Sequence, residues 1–103
     1  MKGMNDMIRQ AQIMQRKLAE TQEELKTRTV DATVGGGMIK VTCTGGQELA
    51  AIVIDPAALE GGDVEMLQDL VLAAVNEGLK QAKAMVEQEM SKITGGIKIP
   101  GMF

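Results

Sequence analysis

The sequence predicts an α+β chain in the order helix, three-stranded antiparallel meander, helix. Three observations predict it. Apolar residues recur at alternating steps of three and four from Met4 to Leu25. They recur at steps of two between residues 28 and 54, with glycine clusters separating the runs, and the helical rhythm returns from Leu67 to Ile93. With 103 residues and 45% hydrophobic content, the chain reads as a single domain over 1–103, small enough that a partner chain would help to bury its apolar surface.

The first helix is expected over about residues 3–27. Met4, Met7, Ala11, Met14, Leu18, Thr21 and Leu25 make an unbroken heptad seam, Ile8 widens it, and most other positions are Gln, Glu, Lys or Arg, all good helix formers. Such a helix is roughly 36 Å long, against a radius of gyration of about 13 Å for a compact domain of this size, so part of it projects as an arm.

Strands are expected over about residues 28–35, 38–44 and 47–54. Val30, Ala32 and Val34 alternate with Thr29, Asp31 and Thr33 before Gly35, Gly36 and Gly37 turn the chain; Gly45 and Gly46 are expected to supply the positive φ of a two-residue hairpin turn. With Thr44 opposite Gln47, Ile39, Val41, Ala50 and Ile52 share one face, while Met38, Leu49, Ala51 and Val53 share the other with Lys40 and Thr42. Both faces are then substantially apolar, one covered by the chain's own helices and the other by a second subunit. Asp55 and Pro56 end the third strand. Asp63 is the N-cap of a second helix over about 63–93, with Met66 at N3, and Gly95 and Gly96 stop it ahead of a Gly/Pro-containing tail, 94–103. Met7, Met14, Leu18, Leu49, Val53, Leu70, Val75 and Leu79 are the residues expected in the core or at a dimer contact.

Several functions are excluded by what the chain lacks. It has no His, no Trp and no Tyr, its one Cys is Cys43, and its one aromatic residue is Phe103. No zinc site of soft ligands, disulfide framework or Cys/His nucleophile pair can be assembled from it, and no aromatic platform is available to stack single-stranded bases. Cys43 falls in the alternating run Ile39, Val41, Cys43 and reads as a buried structural thiol. The glycine clusters match neither phosphate-loop pattern, because no Lys-Ser/Thr opens a helix after them and no G-x-G-x-x-G lies between strand and helix. Neither a signal peptide nor a run of 18 apolar residues is present, so a cytosolic chain without membrane contact is expected. No catalytic residues, metal, cofactor or small-molecule substrate are expected.

The charge is unevenly placed. Lys2, Arg9 and Arg16 recur every seven residues opposite the seam of the first helix, and Lys17 flanks them, so residues 1–17 hold four bases against Asp6 alone. Residues 60–77 hold Glu60, Asp63, Glu65, Asp69 and Glu77 with no base, whereas residues 78–98 hold Lys80, Lys83, Lys92 and Lys98 against Glu87 and Glu89. A basic ridge on a projecting helix suits contact with phosphates. The same distribution also complements a helix dipole and keeps an amphipathic helix soluble, so the residues alone leave both readings open.

The opening seam with its Gln- and Lys-rich outer face, the strand end Ile52, Val53, Ile54, Asp55, Pro56, the stretch from Leu70 to Ala82 with Ala73, Ala74, Val75 and Asn76, and the tail Thr94, Gly95, Gly96 through Pro100, Gly101 together resemble the YbaB/EbfC family of bacterial nucleoid-associated proteins over nearly the whole chain. That resemblance implies a homodimer whose sheets and second helices pack together while paired helical arms extend like tweezers. It also implies binding of double-stranded DNA with little sequence preference, in the cytoplasm at the nucleoid, contributing to nucleoid organisation and gene regulation. The expected DNA contacts, chosen by position, are Lys2, Arg9, Arg16, Lys17, Lys83 and Lys92. The net charge of −3 opposes long-range attraction to DNA, so any site must be local. The alternative is a protein adaptor that offers the Met4, Met7, Met14 stripe to a partner helix without touching DNA.

Overall fold

In the computed structural model, which describes residues 2–95, the chain runs α1 (Lys2–Leu25), β1 (Thr29–Val34), β2 (Ile39–Thr44), β3 (Leu49–Ile54) and α2 (Val64–Thr94), with single 3-10 turns at Gly35–Gly37 and Pro56–Leu59. This is the α+β order that the changes of period predict. The tail beyond Gly95 lies outside the described residues.

The sheet has the order β1-β2-β3 and is antiparallel throughout. Val30, Ala32 and Val34 on β1 and Ile39, Val41 and Cys43 on β2 point to one side, where Ala74, Gly78 and Ala82 of α2 close over them. Small residues at those helix positions let α2 lie very close. A Cβ on Gly78 would come within 2.7 Å of both Cys43 Sγ and Val41 Cγ2. Leu70, Val75 and Leu79 pack half-buried around this cluster.

Two sequence expectations about the β2-β3 hairpin are corrected. Gly45 and Gly46 do not adopt positive φ; Gln47 does, at 64°, and the chain turns through the three residues Gly45, Gly46 and Gln47, with Gln47 N–H donating to Thr44 O at 3.0 Å and Thr44 N–H donating to Glu48 O at 2.8 Å. That is a three-residue loop with its left-handed residue last, a geometry compatible with the right-handed strand twist. The longer loop moves the register, so that Val41 faces Ile52 and Thr42 faces Ala51, and a bulge leaves Ala50 unmatched and sets Leu49 opposite Cys43. Leu49 therefore belongs to the α2 side of the sheet, not the outer side, and Met38 also packs against the α2-side core.

The second correction concerns the two apolar faces. The outer side of β1 and β2 is polar, formed by Thr29, Asp31, Thr33, Lys40, Thr42 and Thr44; Thr42 Oγ1 donates to Asp31 Oδ1 at 2.7 Å and Lys40 Nζ lies 3.6 Å from Asp31 Oδ2. Apolar residues reach that side only on β3. Every residue of β3 is exposed, Val53 at 60% on the outer side and Ile52 at 40% on the inner, because α2 lies over β1 and β2 and leaves β3 bare at the edge.

Asp55 accepts from Ala57 N–H and turns the chain out of β3; Asp63 accepts from Met66 N–H as the N-cap of α2, and Gly95, left-handed at φ 66°, ends it. A second, smaller core joins the helices. Leu18 and Leu25 of α1 meet Met90 of α2, with Met85, Val86 and Ile93 around them. Val86 lies near Leu25 at the hairpin turn, and Ile93 lies near Met14, so the helices run antiparallel and only the second half of α1 is covered. The first half continues past the end of α2. The result is a rod of 74 × 19 × 18 Å with a radius of gyration of 19.4 Å, well above the roughly 13 Å of a compact chain of this length. Among the described residues no helix is long and apolar enough to cross a membrane.

Candidate nucleic-acid interface

The projecting half of α1 is held only at its base. Leu18 and Leu25 anchor it, whereas Met7 is 72% exposed, and Met4, Ile8, Ile13 and Met14 are also uncovered in the single chain. Of the residues expected in the core or at a dimer contact, Leu18 is buried inside the chain, Leu70, Val75 and Leu79 flank the sheet core, and Met7, Met14, Leu49 and Val53 are open to solvent.

Arg9 and Arg16 stand two helical turns apart, on the side of α1 away from the Leu18 and Leu25 anchors. Both are exposed, and among the described residues neither takes part in an ion pair. Lys17 lies round the helix, lining a shallow groove of ≈ 200 Å³ with Gln10, Ile13, Met14 and Ile93 of α2. Lys2 begins α1, and its side chain lies outside the described residues.

The two lysines expected on α2 do not join this ridge as a pair. Lys83 and Lys92 are nine residues apart, two and a half helical turns, so they leave α2 on opposite sides. Lys92 is also already engaged, with Nζ 3.1 Å from Glu89 Oε1. Glu89 in turn takes Arg28 Nη1 at 3.4 Å, tying the segment after α1 to α2. Sequence reasoning passed over Arg28, whose partner lies 61 positions away in the chain, and Ile13, which breaks the heptad rule by sitting among the bases.

The hydrogen bond from Lys92, together with the charges of Lys92 and Arg28, holds the Glu89 carboxyl below its ordinary pKa against the opposing effect of burial. The Thr42 hydroxyl and Lys40 do the same for Asp31, while burial pushes the Cys43 thiol up and keeps it protonated. A depressed carboxylate pKa contributes stability at neutral pH. As pH falls through the carboxylate range the unfolded chain takes up the proton first, and the contribution disappears. Glu89→Gln is therefore expected to lower the urea midpoint at neutral pH and to converge on the parent chain as pH falls through the lowered pKa of the folded carboxyl, below which both are uncharged at this position. Among the described residues no group of three or more His, Cys, Asp or Glu side chains is placed to hold a metal ion.

The family model described as the YbaB/EbfC DNA-binding family matches residues 1–97. A nucleoid-associated protein of Moorella thermoacetica is 59% identical over 101 residues, which cover 98% of this chain and 97% of that protein. A nucleoid-associated protein of Thermoanaerobacter sp. (strain X514) is 55% identical over 101 residues, covering 98% of this chain and 91% of that protein. Among solved structures, the crystal structure of an uncharacterized protein from Helicobacter pylori superposes with a TM-score of 0.68 at 27% identity, covering 82% of this chain and 89% of that one.

Proposed function

Because this chain belongs to the YbaB/EbfC DNA-binding family, a family of DNA-binding proteins and not of enzymes, we propose that it is a nucleoid-associated protein that grips duplex DNA through the backbone. It acts at the nucleoid, and so in the cytoplasm, a reading supported by relatives that are named nucleoid-associated proteins. The observation that carries the reading is the arm: a helix half outside the body of the protein, with Arg9 and Arg16 exposed on one side and free of ion pairs among the described residues. Unpaired guanidinium groups release counterions when they meet phosphate, and that release is indifferent to base sequence. Little sequence preference follows, because phosphate contacts position a protein without reading bases. Influence on gene expression would come through occupancy and DNA organisation.

The working unit is a homodimer joined through β3. That strand has the run Leu-Ala-Ala-Ile-Val-Ile, a free edge and no cover on either side, the combination that invites pairing with another chain. Two arms then present two ridges. The polar outer sides of β1 and β2 need no partner, so the contact centres on β3 and its inner neighbours. Val53→Lys places a charge at an exposed position, leaving the single-chain fold intact, and is expected to convert the dimer to a monomer in sedimentation velocity. A dimer that persists unchanged would move the interface elsewhere.

The direct test is a mobility-shift titration on duplex DNA across salt. With Arg9, Arg16 and Lys17 on both arms, about six phosphates are neutralised, and log K is expected to fall against log salt with a slope of roughly −5. Binding that does not respond to salt would remove the backbone grip. The sequence of the duplex should matter little, and a strong preference for one sequence would argue for base contacts that the ridge does not offer.

A further inference from the structure

The apolar seam of α1 is covered over only part of its length. Leu18 and Leu25 are buried against Met90 of α2, and Ile93, near the end of α2, still packs on that cluster. Beyond it the seam continues without cover. Met4 and Met7 are 63% and 72% exposed, and Met14 is exposed where the cover stops. At that boundary Ile13, Met14 and Ile93 line a shallow groove of ≈ 200 Å³ with the stems of Gln10 and Lys17. An apolar stripe at helical spacing on an otherwise polar helix marks a side that gains from being buried.

The chain leaves α2 beside that groove. Gly95 N–H donates to Ser91 O, and the left-handed φ of 66° at Gly95 stops the helix there. Eight residues, 96–103, follow Gly95 and lie outside the described residues. By composition they are apolar: Ile97, Ile99, Met102 and Phe103, the one aromatic ring in the sequence, stand against a single charge, Lys98. Their reach is sufficient, since the helix from Met14 to Met4 is about 15 Å long and eight residues of chain span up to about 26 Å. No reversal is needed either, because α1 and α2 are antiparallel and the bare stripe runs onward from the end of α2.

We propose that the Met4, Met7, Met14 stripe is the docking surface for residues 96–103 of the same chain, which enter by the Ile13, Met14, Ile93 groove and set Phe103 against the methionines. Attachment selects this occupant. A segment joined to the edge of the groove competes at an effective concentration on the order of mM, whereas a second copy arrives only at its concentration in solution. The sequence of the segment suits the surface. In extended backbone Ile97 and Ile99 share one side and Lys98 takes the other, so both isoleucines can face the stripe while the lysine stays in water. Pro100 lacks an N–H, which costs nothing on a helix whose own backbone is already paired. Unbranched thioethers adapt to the outline of a ring and make favourable contacts with its edge. The proposal goes beyond the DNA-binding reading and does not depend on it: Arg9 and Arg16 lie on the opposite side of α1 and stay free when the stripe is covered.

The test uses the full chain without DNA. The sequence has no Trp, so Phe103→Trp installs a single indole whose emission reports on the docked segment alone. Its emission maximum is expected at shorter wavelength than in the urea-unfolded chain, with acrylamide quenching several-fold weaker, at every protein concentration and at low and high salt alike. Adding Met7→Gln/Met14→Gln, at exposed positions of α1, should return emission and quenching to the values of a solvated indole with unchanged circular dichroism, whereas Met7→Leu/Met14→Leu should keep the indole covered. A second measurement reads the same contact from the arm. Ile97→Gln/Ile99→Gln/Phe103→Gln should speed peroxide oxidation of Met4 and Met7 several-fold over the parent chain, followed by peptide mass. A solvated indole in the Phe103→Trp chain, cover retained in the Gln background, cover that grows with protein concentration as docking on a second copy would, or oxidation rates unmoved by the tail variant overturns the proposal.

Discussion

Gly45→Ala is expected to destabilise the chain by about 3 kcal/mol, at the upper end of what overpacking usually costs. The reason is not φ, which is ordinary at this position. A Cβ on Gly45 would sit inside the van der Waals radius of the Leu25 carbonyl oxygen and 3.1 Å from Val86 Cγ2, so the obstacle is helix backbone, which cannot swing aside as a side-chain end can. The same turn completes the end of α1. Gly45 N–H donates to Arg28 O at 2.9 Å, continuing the β1-β2 pairing by one residue, and Gly46 N–H donates to Lys26 O at 3.2 Å, giving a partner to the carbonyl just past the end of α1. Moving the hairpin away to admit a methyl group would loosen both bonds and the adjacent contacts among Leu25, Val86 and Met90. For a domain of this size the midpoint of thermal unfolding should fall by roughly 15 °C, measured by circular dichroism. Gln47→Gly is the contrasting change. It relieves a non-glycine residue at φ 64° and is expected to raise stability by about 1 kcal/mol. A Gly45→Ala chain as stable as the parent would mean that the turn does not bear on α1.

The alternation of period along the chain was enough to order the elements, because both signals, three-and-four spacing and two-spacing, are local. Leu18 and Leu25 illustrate the helical case and Ile39, Val41 and Cys43 the strand case; each side chain is buried where its rhythm points. Asp63 and Gly95 were legible for the same reason, since a cap is read from its neighbours. The hairpin was not. A Gly-Gly pair is compatible with a two-residue turn, and what required glycine at 45 was the approach of α1, which is 20 residues earlier in the chain. One additional residue in the loop and a bulge at Ala50 then carried Leu49 across the sheet. The claim of two apolar faces was wrong for a related reason, as β1 and β2 turn their Thr, Asp and Lys outward and the bare apolar surface is confined to β3. On the candidate interface, heptad spacing placed Arg9 and Arg16 together, whereas Lys83 and Lys92, chosen by charge in one stretch, fall on opposite sides of α2 because nine residues is a half-integral number of turns.

Replacing Arg9 and Arg16 together by Glu is expected to weaken binding to duplex DNA by roughly 4,000-fold at about 0.1 M salt. At that ionic strength each phosphate neutralised is worth close to a tenfold gain through counterion release, and the double replacement removes four contacts from a two-armed dimer. The magnitude is large because the rest of the molecule cannot compensate. The chain carries a net charge of −3, Lys92 is drawn to Glu89, and the far end of the rod is acidic, so Lys17 is the one contact counted on each arm that is left to draw phosphate once the arginines are reversed. The salt slope should flatten with the affinity, from roughly −5 towards −2, which separates lost phosphate contacts from a general loss of protein. Both positions are exposed and remote from the Leu18, Leu25 and Met90 cluster, so the helical content and the unfolding midpoint should stay with the parent chain. Lys83→Glu is the internal comparison: its side of α2 carries no companion base at helical spacing except Lys80, and its effect should be several times smaller. If Lys83→Glu were as damaging as the double arginine change, or if the latter left affinity and slope untouched, the DNA would be held by another surface and the arm would have to be read as a protein contact.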